Sequence, residues 1–108
     1  MVELEQTTML LIIHSGNARS LAYEAFDLAL AGDYAAAAEK LREAHAEMGQ
    51  AHTHQTGLIQ SEAAGTPVTP TLLLIHAQDH LMTAMAEVNL TERMVKLMQV
   101  RDQGRLRP

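Results

Sequence analysis

The chain has no cysteine and no tryptophan, and aromatic residues of any kind are few. Without cysteine there can be no disulfide, no thiolate metal site and no cysteine nucleophile, and such a composition is most natural for a cytosolic protein. Apolar runs such as residues 9–13 and 72–75 are far shorter than the ~18 residues that a membrane span requires. Residues 1–5 do not resemble the basic start of a signal peptide. We therefore expect a soluble, cytoplasmic protein without direct membrane insertion.

Basic residues are also scarce. Lys and Arg number 8 against 13 Asp and Glu, which gives a formal net charge of −5 at pH 7. This balance argues against binding to the phosphate backbone of nucleic acids, and the basic residues outside the C-terminus form no stripe. Their only concentration is the tail 100–108, with Arg101, Arg105 and Arg107. We interpret this tail as a solvated helix end.

Long stretches without proline carry apolar residues at helical spacing. Gly32 and Asp33 mark a first turn, because glycine can take the left-handed position after a helix and aspartate can cap the next one. Gly65 marks a second turn in the same way. These signals predict three helices, at about 3–31, 34–63 and 70–99. Helices of ~45 Å joined by short turns predict one all-α domain over residues 1–108, an antiparallel three-helix bundle.

The third predicted helix is apolar on nearly all sides, unlike the other two. We expect Thr69 to be its N-cap and Pro70 its first residue. Two partner helices cover only part of such a surface, so packing between copies of the chain and a monomeric bundle with a polar stripe towards water both remain open. A seam with alternating steps of three and four residues resembles a short coiled-coil stripe: Leu72, His76, Asp79, Thr83, Ala86, Leu90, Arg93 and Leu97.

Three polar side chains interrupt this apolar helix. His76, Asp79 and His80 are three and four residues apart, so one helical turn presents two imidazoles and a carboxylate on one face. His76 and Gln55 are at similar distances along the chain from the turn at Gly65, which places them at similar height in the bundle. We therefore expect residues 54–57 of the second helix to line the same site.

The spacing of residues 76 and 80 is also that of the zinc metalloprotease motif. That motif needs a glutamate straight after the first histidine, where this chain has Ala77. A metal site of two histidines and Asp79 remains open, although one helical turn supplies few ligands. A Ser-His-Asp hydrolase is not indicated, because the chain has no Gly-x-Ser-x-Gly elbow.

A phosphate-accepting histidine fits the pattern better. A neutral imidazole nitrogen is a good nucleophile for phosphorus, and Gln78, Gln55 or His80 can meet the phosphoryl oxygens. Asp79 would repel the added negative charge from one turn away. If three copies of the helix met on an axis, however, three Asp79 carboxylates would converge there. Such a cluster requires protonation or a divalent cation with oxygen ligands.

Two groups of phosphohistidine proteins can be compared with this pattern. In the histidine-containing phosphotransfer domains of two-component relays, the acceptor is usually followed at the third position by lysine, where this chain has Asp79. By contrast, residues 76–82 (His-Ala-Gln-Asp-His-Leu-Met) and 51–57 (Ala-His-Thr-His-Gln-Thr-Gly) closely resemble the IIA component of the lactose/cellobiose (diacetylchitobiose) class of the sugar phosphotransferase system. The likeness includes residues 16–20 and 31–34, so it spans nearly the whole chain.

The resemblance implies a homotrimer of three-helix protomers, with the third helix at the three-fold axis. It implies that His76 accepts a phosphoryl group from the histidine phosphocarrier HPr and passes it to a cysteine of the cognate IIB component. It also implies that Asp79 of each subunit converges on a metal, magnesium, with one ion per trimer. Gln78, His80 and Gln55 are expected beside the phosphoryl group.

Two positions depart from the family pattern. Ala77 stands where glycine is frequent, and His54 where a small polar residue is common; both are expected to affect the fit of partners rather than the transfer. For His80, a role in packing or helix orientation stays open. The competing interpretation is a non-catalytic trimeric helical bundle that binds a divalent metal or a partner helix. The sequence does not name the sugar, because the membrane IIC component would select it.

Overall fold

A computed structural model of the chain describes the backbone of residues 2–104 and the side chains of residues 4–104. Three long helices, α1 (Val2–Leu30), α2 (Tyr34–Ala63) and α3 (Leu72–Asp102), run in alternating directions in an elongated bundle of 54 × 21 × 19 Å. The described residues contain no strand. The prediction of an all-α three-helix bundle is confirmed.

The turn between α1 and α2 is built almost entirely by Gly32 and Asp33. Gly32 has a φ of 85°, a left-handed conformation in which its N–H donates to the carbonyl of Ala29. The N–H of Asp33 donates to the carbonyl of Leu28 at 2.9 Å, which closes the end of α1. The Asp33 carboxylate then accepts the N–H of Ala36 and so begins α2. One residue thus ends one helix and caps the next.

The start of α3 differs from the prediction that Thr69 is the N-cap and Pro70 the first helical residue; this prediction is wrong. Thr71 is the N-cap, with an extended backbone at φ −99° and ψ 163°, and its hydroxyl accepts the N–H of Leu74 at 3.0 Å. A hydroxyl two residues further along makes this bond, so the helix begins at Leu72, after the proline.

The end of α3 lies three residues beyond the predicted end at residue 99. The helix continues to Asp102, whose carboxylate accepts a hydrogen bond from the Tyr34 hydroxyl at the start of α2. Gly104, with a φ of 69°, then ends it. The tail predicted at 100–108 is therefore helical as far as Asp102, and its residues 105–108 lie outside the described residues.

Small side chains fill the interior of the bundle. Among residues 4–104, alanine contributes nine of the sixteen buried apolar residues, and Leu11, Leu81 and Val88 are the largest apolar side chains that are fully enclosed. α1 makes the larger contacts with both other helices, whereas α2 and α3 touch each other less. Small interior residues let the helix axes come close, and they leave the larger apolar side chains elsewhere.

Many of those larger side chains are on the outside of α3. Its buried side is formed by Leu74, Ala77, Leu81, Ala84, Val88, Thr91 and Val95. On the opposite side, the exposed apolar residues are Leu72, Ile75, Met82, Leu90 and Leu97, a surface that we call the outer face. Leu72 is 84% exposed and Leu90 is 59% exposed. Despite its apolar character, neither α3 nor any other helix in the described range is long and apolar enough to cross a membrane.

Candidate functional site

A shallow cavity of about 170 Å³ lies between α1 and α3. It is lined by Arg19 from α1 and by His76, Asp79, His80 and Thr83 from α3. His76 and Asp79 are exposed to solvent, whereas Arg19 and His80 are half-buried. The three polar residues that the sequence places on one helical face therefore line one cavity, which is open enough to admit a reactant.

The two histidines of the cavity contact each other through their rings. Nε2 of His76 lies 3.1 Å from Nε2 of His80, a hydrogen-bond distance. The rings meet edge to face, with centroids 4.5 Å apart and planes at 86°. The helix itself produces this contact, because residues four apart stand one above the other. In such a hydrogen bond, one of the two nitrogens carries a hydrogen and the other a lone pair.

Arg19 joins α1 to this pair of histidines. Its Nη1 lies 3.3 Å from Nδ1 of His80, its Nη2 donates to the hydroxyl of Thr83, and its Nε donates to the carboxylate of Glu87 at 2.9 Å. The Arg19 side chain is only 22% exposed. Three partners along α3 hold the guanidinium in one orientation, with its positive charge beside the cavity.

The carboxylate of Glu87 has a second donor on α1. The Tyr23 hydroxyl donates to the same oxygen that Arg19 contacts, at 2.8 Å. This hydrogen bond raises the pKa of Tyr23 above its ordinary value, with desolvation and the negative charge of Glu87 acting in the same direction and the Arg19 cation opposing them. Tyr23 thus remains a donor, and Glu87 is held where it can bind Arg19.

Gln55 and Gln78 form a separate contact. The side-chain amide of Gln55 donates to the amide oxygen of Gln78, which ties α2 to α3. Gln78 is two residues after His76, a rotation of about 200° around the helix, so the two side chains leave α3 on nearly opposite sides. Within one chain the structure therefore does not bring this pair to the cavity, although Gln55 and His76 are at similar height.

The remaining histidines are engaged away from the cavity. His14 lies 2.5 Å from the Glu47 carboxylate and stacks on His54, with ring centroids 6.1 Å apart. His45 binds Glu92 at 3.1 Å. These contacts join helices in pairs, and within the described residues they leave His76 and His80 as the histidines of the cavity.

Asp79 is the carboxylate of the cavity and the predicted metal ligand. No hydrogen bond or ion pair involves its carboxylate within residues 4–104. In that same range, no three His, Asp or Glu side chains come together in a way that could hold a metal ion. Oxygen ligands of this kind suit Mg²⁺, which usually takes only one or two carboxylates and keeps several waters. One chain supplies one such ligand, so a closed site needs further copies.

Sequence reasoning missed Arg19, Thr83 and Glu87 as parts of this arrangement. Arg19 is 61 residues from His80 along the chain, and only the packing of α1 on α3 brings them together. The available signal was the segment 16–20, which shares the family pattern but carried no assigned role.

Comparisons with known proteins agree on one family. Residues 6–99 match the family described as "PTS system, Lactose/Cellobiose specific IIA subunit". The lichenan-specific phosphotransferase enzyme IIA component of Bacillus subtilis (strain 168) is 45% identical over 95 residues, which cover 88% of this chain and 86% of that protein.

Solved structures agree in fold. The crystal structure of the cellobiose-specific enzyme IIA from Bacillus anthracis has a TM-score of 0.90 and 43% identity, over 95% of this chain and 94% of that one. A solution structure of the IIA(chitobiose)–HPr complex of Escherichia coli has a TM-score of 0.79 and 40% identity, over 92% of this chain and 96% of that one.

Proposed function

The chain belongs to the lactose/cellobiose-specific IIA family of the sugar phosphotransferase system, and from this premise we propose that it is a phosphocarrier acting through His76. His76 accepts a phosphoryl group from HPr and passes it to a cysteine of the cognate IIB component. The transfer serves the uptake of a sugar of the lactose/cellobiose type. The proposal places this step in the cytoplasm.

The observation that carries the proposal is the position of His76. Its imidazole is exposed, lines an open cavity, and has one nitrogen within hydrogen-bond distance of a second imidazole. A phosphoryl group carries about −1.5 to −2 charges, so it is favoured beside a hydrogen-bond donor. His80, which is half-buried, offers such a donor beside His76, and Arg19 contacts His80.

The transfer balances without a co-reactant. A lone pair of the neutral His76 ring attacks phosphorus, and the bond between phosphorus and the donor's ring nitrogen breaks with its electron pair left on the donor. A donor ring that is protonated on its other nitrogen leaves as neutral imidazole. His76 keeps its own N–H and becomes the phosphorylated imidazolium. No proton moves between the rings, and passage to the cysteine thiolate of IIB repeats the exchange in the forward direction.

The solved E. coli relative supports HPr as the donor, because its structure is that of a complex with HPr. That relative is 40% identical to this chain over almost its whole length. The IIB partner and the sugar rest on family membership alone. The relatives named above act on different sugars, so the sugar itself is left open.

The experiment is the intact mass of the chain after incubation with phosphoenolpyruvate, enzyme I and HPr. We expect one added phosphoryl group on the unchanged chain and none on His76→Ala. The matched control is His52→Ala, a second exposed histidine that lies outside the cavity. The control should take up one group like the unchanged chain. A phosphoryl group that persists on His76→Ala would reject the assignment.

The outer face of α3 supports the second part of the proposal, a homotrimer with α3 at the three-fold axis. Exposed leucine, isoleucine and methionine along a whole helix form an apolar patch of the kind that soluble chains cover by association. Asp79 lies among these residues on the same side of the helix. Three-fold packing of this face brings three Asp79 carboxylates together.

Asp79 fits a shared Mg²⁺ site in chemistry. Its carboxylate is exposed and has no described partner, and convergence of three such groups is costly unless a cation is present. Bound there, the divalent ion would offset most of the negative charge of the three carboxylates and so weaken the repulsion that one of them exerts on a phosphoryl group at His76. The role that we assign to Asp79 is therefore to hold the metal, and phosphoryl chemistry stays with His76.

Asp79→Leu tests this part of the proposal. Leucine removes the carboxylates and adds apolar contact, so we expect a trimer that persists in chelator and binds no metal. The measurements are sedimentation with and without chelator, and metal content by mass spectrometry. A fall to monomer would show instead that the metal holds the assembly together.

The alternative is a non-catalytic trimeric bundle that binds a divalent metal or a partner helix. The outer face also favours this alternative, because an exposed apolar face predicts that chains associate and requires no phosphoryl transfer. It predicts no phosphoryl uptake when the upstream components are active, which the mass measurement decides directly.

A further inference from the structure

We propose that Arg19 is a positioning residue for the phosphoryl transfer: it fixes the tautomer and orientation of His80, so that His80 presents its N–H towards Nε2 of His76. The inference rests on the proposed function of His76. It gives a role to a residue of α1, far from His76 in the sequence, and to the segment 16–20 that the function has not otherwise explained.

Arg19 can only donate hydrogen bonds. A guanidinium has five N–H donors and no acceptor, and it stays protonated in proteins. Its Nη1 lies 3.3 Å from Nδ1 of His80, so in this contact Nδ1 must be the acceptor. A neutral imidazole with a lone pair on Nδ1 carries its hydrogen on Nε2. Arg19 therefore selects the Nε2–H form of His80.

The tautomer of His80 in turn sets which nitrogen of His76 carries the lone pair. Nε2–H of His80 lies 3.1 Å from Nε2 of His76, so it donates to that nitrogen, and Nε2 of His76 carries the lone pair. Because a ring nitrogen has a single lone pair, this hydrogen bond opens as phosphorus approaches; Nε2 of His76 then attacks, and the Nδ1 hydrogen stays on the ring. Once phosphorus is bound to Nε2, the same N–H of His80 lies beside the phosphoryl oxygens, which are stronger acceptors than the ring nitrogen.

Hydrogen bonds to residues of α3 hold the Arg19 side chain in its orientation. Nη2 of Arg19 donates to the Thr83 hydroxyl, and its Nε donates to the Glu87 carboxylate. Tyr23 donates to that same carboxylate. Thr83 and Glu87 follow His80 along one side of α3, at spacings of three and seven residues. A planar fork reaches all three at once, whereas a lysine ammonium is a single point donor. The cluster therefore orients Arg19 before any phosphoryl group arrives.

Without Arg19, Nδ1 of His80 has no other hydrogen-bond partner within residues 4–104. The ring is then free to rotate or to carry its hydrogen on Nδ1, and in that form it offers a lone pair to His76 and to a phosphoryl oxygen. The hydrogen bond from His80 to His76 is then replaced by repulsion between two lone pairs. We expect slower transfer and no change in the fold.

The first readout is the tautomer itself, which does not depend on activity. Imidazole nitrogens with and without hydrogen differ widely in ¹⁵N chemical shift, so long-range ¹H–¹⁵N spectra at about pH 8.5, where histidine is neutral, report the form of each ring. We expect a single Nε2–H form of His80 in the unchanged chain and a mixture in Arg19→Met. Arg42→Met is the matched control, because Arg42 forms its ion pair with Glu39 on the exposed side of α2.

The second readout is the rate of phosphoryl transfer from phosphorylated HPr at saturating donor. Arg19→Met should lower this rate by about tenfold or more, with little change in the half-saturating HPr concentration. Because Arg19 acts through His80, the same substitution in a His80→Ala background should change the rate by less than about twofold. Arg42→Met should leave the rate unchanged.

Two results overturn the inference. One is a His80 ring that keeps its single Nε2–H form in Arg19→Met; the other is an equal loss of rate in both backgrounds, which would mean that Arg19 acts on the phosphoryl group directly. If Arg19→Met does not fold, Arg19→Lys undergoes the same two measurements. Absence of phosphoryl uptake by the unchanged chain rejects the proposed function. Normal uptake together with either of the two overturning results rejects only the role of Arg19.

Discussion

The two faces of α3 differ in the size of their side chains, and the difference runs against the usual arrangement. The inner face includes Ala77 and Ala84, both fully buried, while the outer face carries leucine, isoleucine and methionine at exposures of half or more. Soluble proteins normally enclose the large apolar side chains and expose fewer of them in one stripe. The inner face thus suits close helix packing, whereas the outer face leaves its large apolar side chains in contact with solvent.

The comparison also separates two kinds of stability. Contacts of the inner face form within one chain, so their contribution to the free energy of unfolding does not depend on protein concentration. Contacts of the outer face in the proposed trimer would form only between chains, so their contribution would depend on concentration. Asp79 lies on the outer face, and His80 lies at the edge of the outer face, where it contacts Arg19. The proposed chemistry is therefore at the boundary between the outer and inner faces.

The largest effect is expected from a charge on the outer face. Leu90→Glu would place like charges together at the proposed axis, so the chain should sediment as a monomer under conditions in which the unchanged chain is a trimer. Leu30→Glu is the control, because Leu30 is 65% exposed at the end of α1, away from the outer face. The control should remain trimeric. A trimer that survives Leu90→Glu would mean that another surface forms the interface.

A matched pair of leucine deletions is expected to give the next largest effect. Leu81 is fully buried and Leu90 is 59% exposed, and alanine removes the same atoms from each. Leu81→Ala should lower the free energy of unfolding by about 2–5 kcal/mol at every protein concentration, because it leaves a cavity. Leu90→Ala should cost stability only in the concentration range where chains associate. Denaturant unfolding at a series of concentrations measures both, and identical behaviour of the two variants would remove the distinction between the faces.

The smallest effect concerns a polar group in the interior. The hydroxyl of Ser15 is fully buried on α1 and has no hydrogen-bond partner among the described residues. Ser15→Ala removes this unpaired group and should raise the free energy of unfolding by about 1 kcal/mol. Ser20→Ala, on an exposed position of the same helix, isolates the gain from helix propensity alone, about 0.5 kcal/mol or less. Equal gains in both variants would show that the Ser15 hydroxyl carries no burial cost.

The parts of the fold that local signals control were predictable. Helix α2 was predicted at 34–63 and spans Tyr34–Ala63, because Asp33 before it and Gly65 after it act through neighbouring backbone groups. The start of α3 was predicted wrongly. The prediction rested on Thr69 before a proline at the first helical position, whereas the Thr71 hydroxyl accepts the N–H of Leu74 and the helix begins after the proline.

The site was predictable only where it lies on one helix. His76 and His80 follow from a four-residue spacing, and their contact is observed. Arg19 depends on how α1 packs on α3, which no local spacing specifies. Gln55 was predicted at the height of His76, but its observed contact is with Gln78, which leaves α3 on nearly the opposite side from His76.

The double role of Asp33 has a consequence for engineering the chain. Because one residue closes α1 and opens α2, an insertion there would separate the two functions and shift one helix against the other. The connection between α2 and α3, residues 64–71, is longer and exposed at nearly every position. A short peptide tag or a fluorescent label is therefore better tolerated in this second connection, where it would stand close to the start of the helix that carries His76.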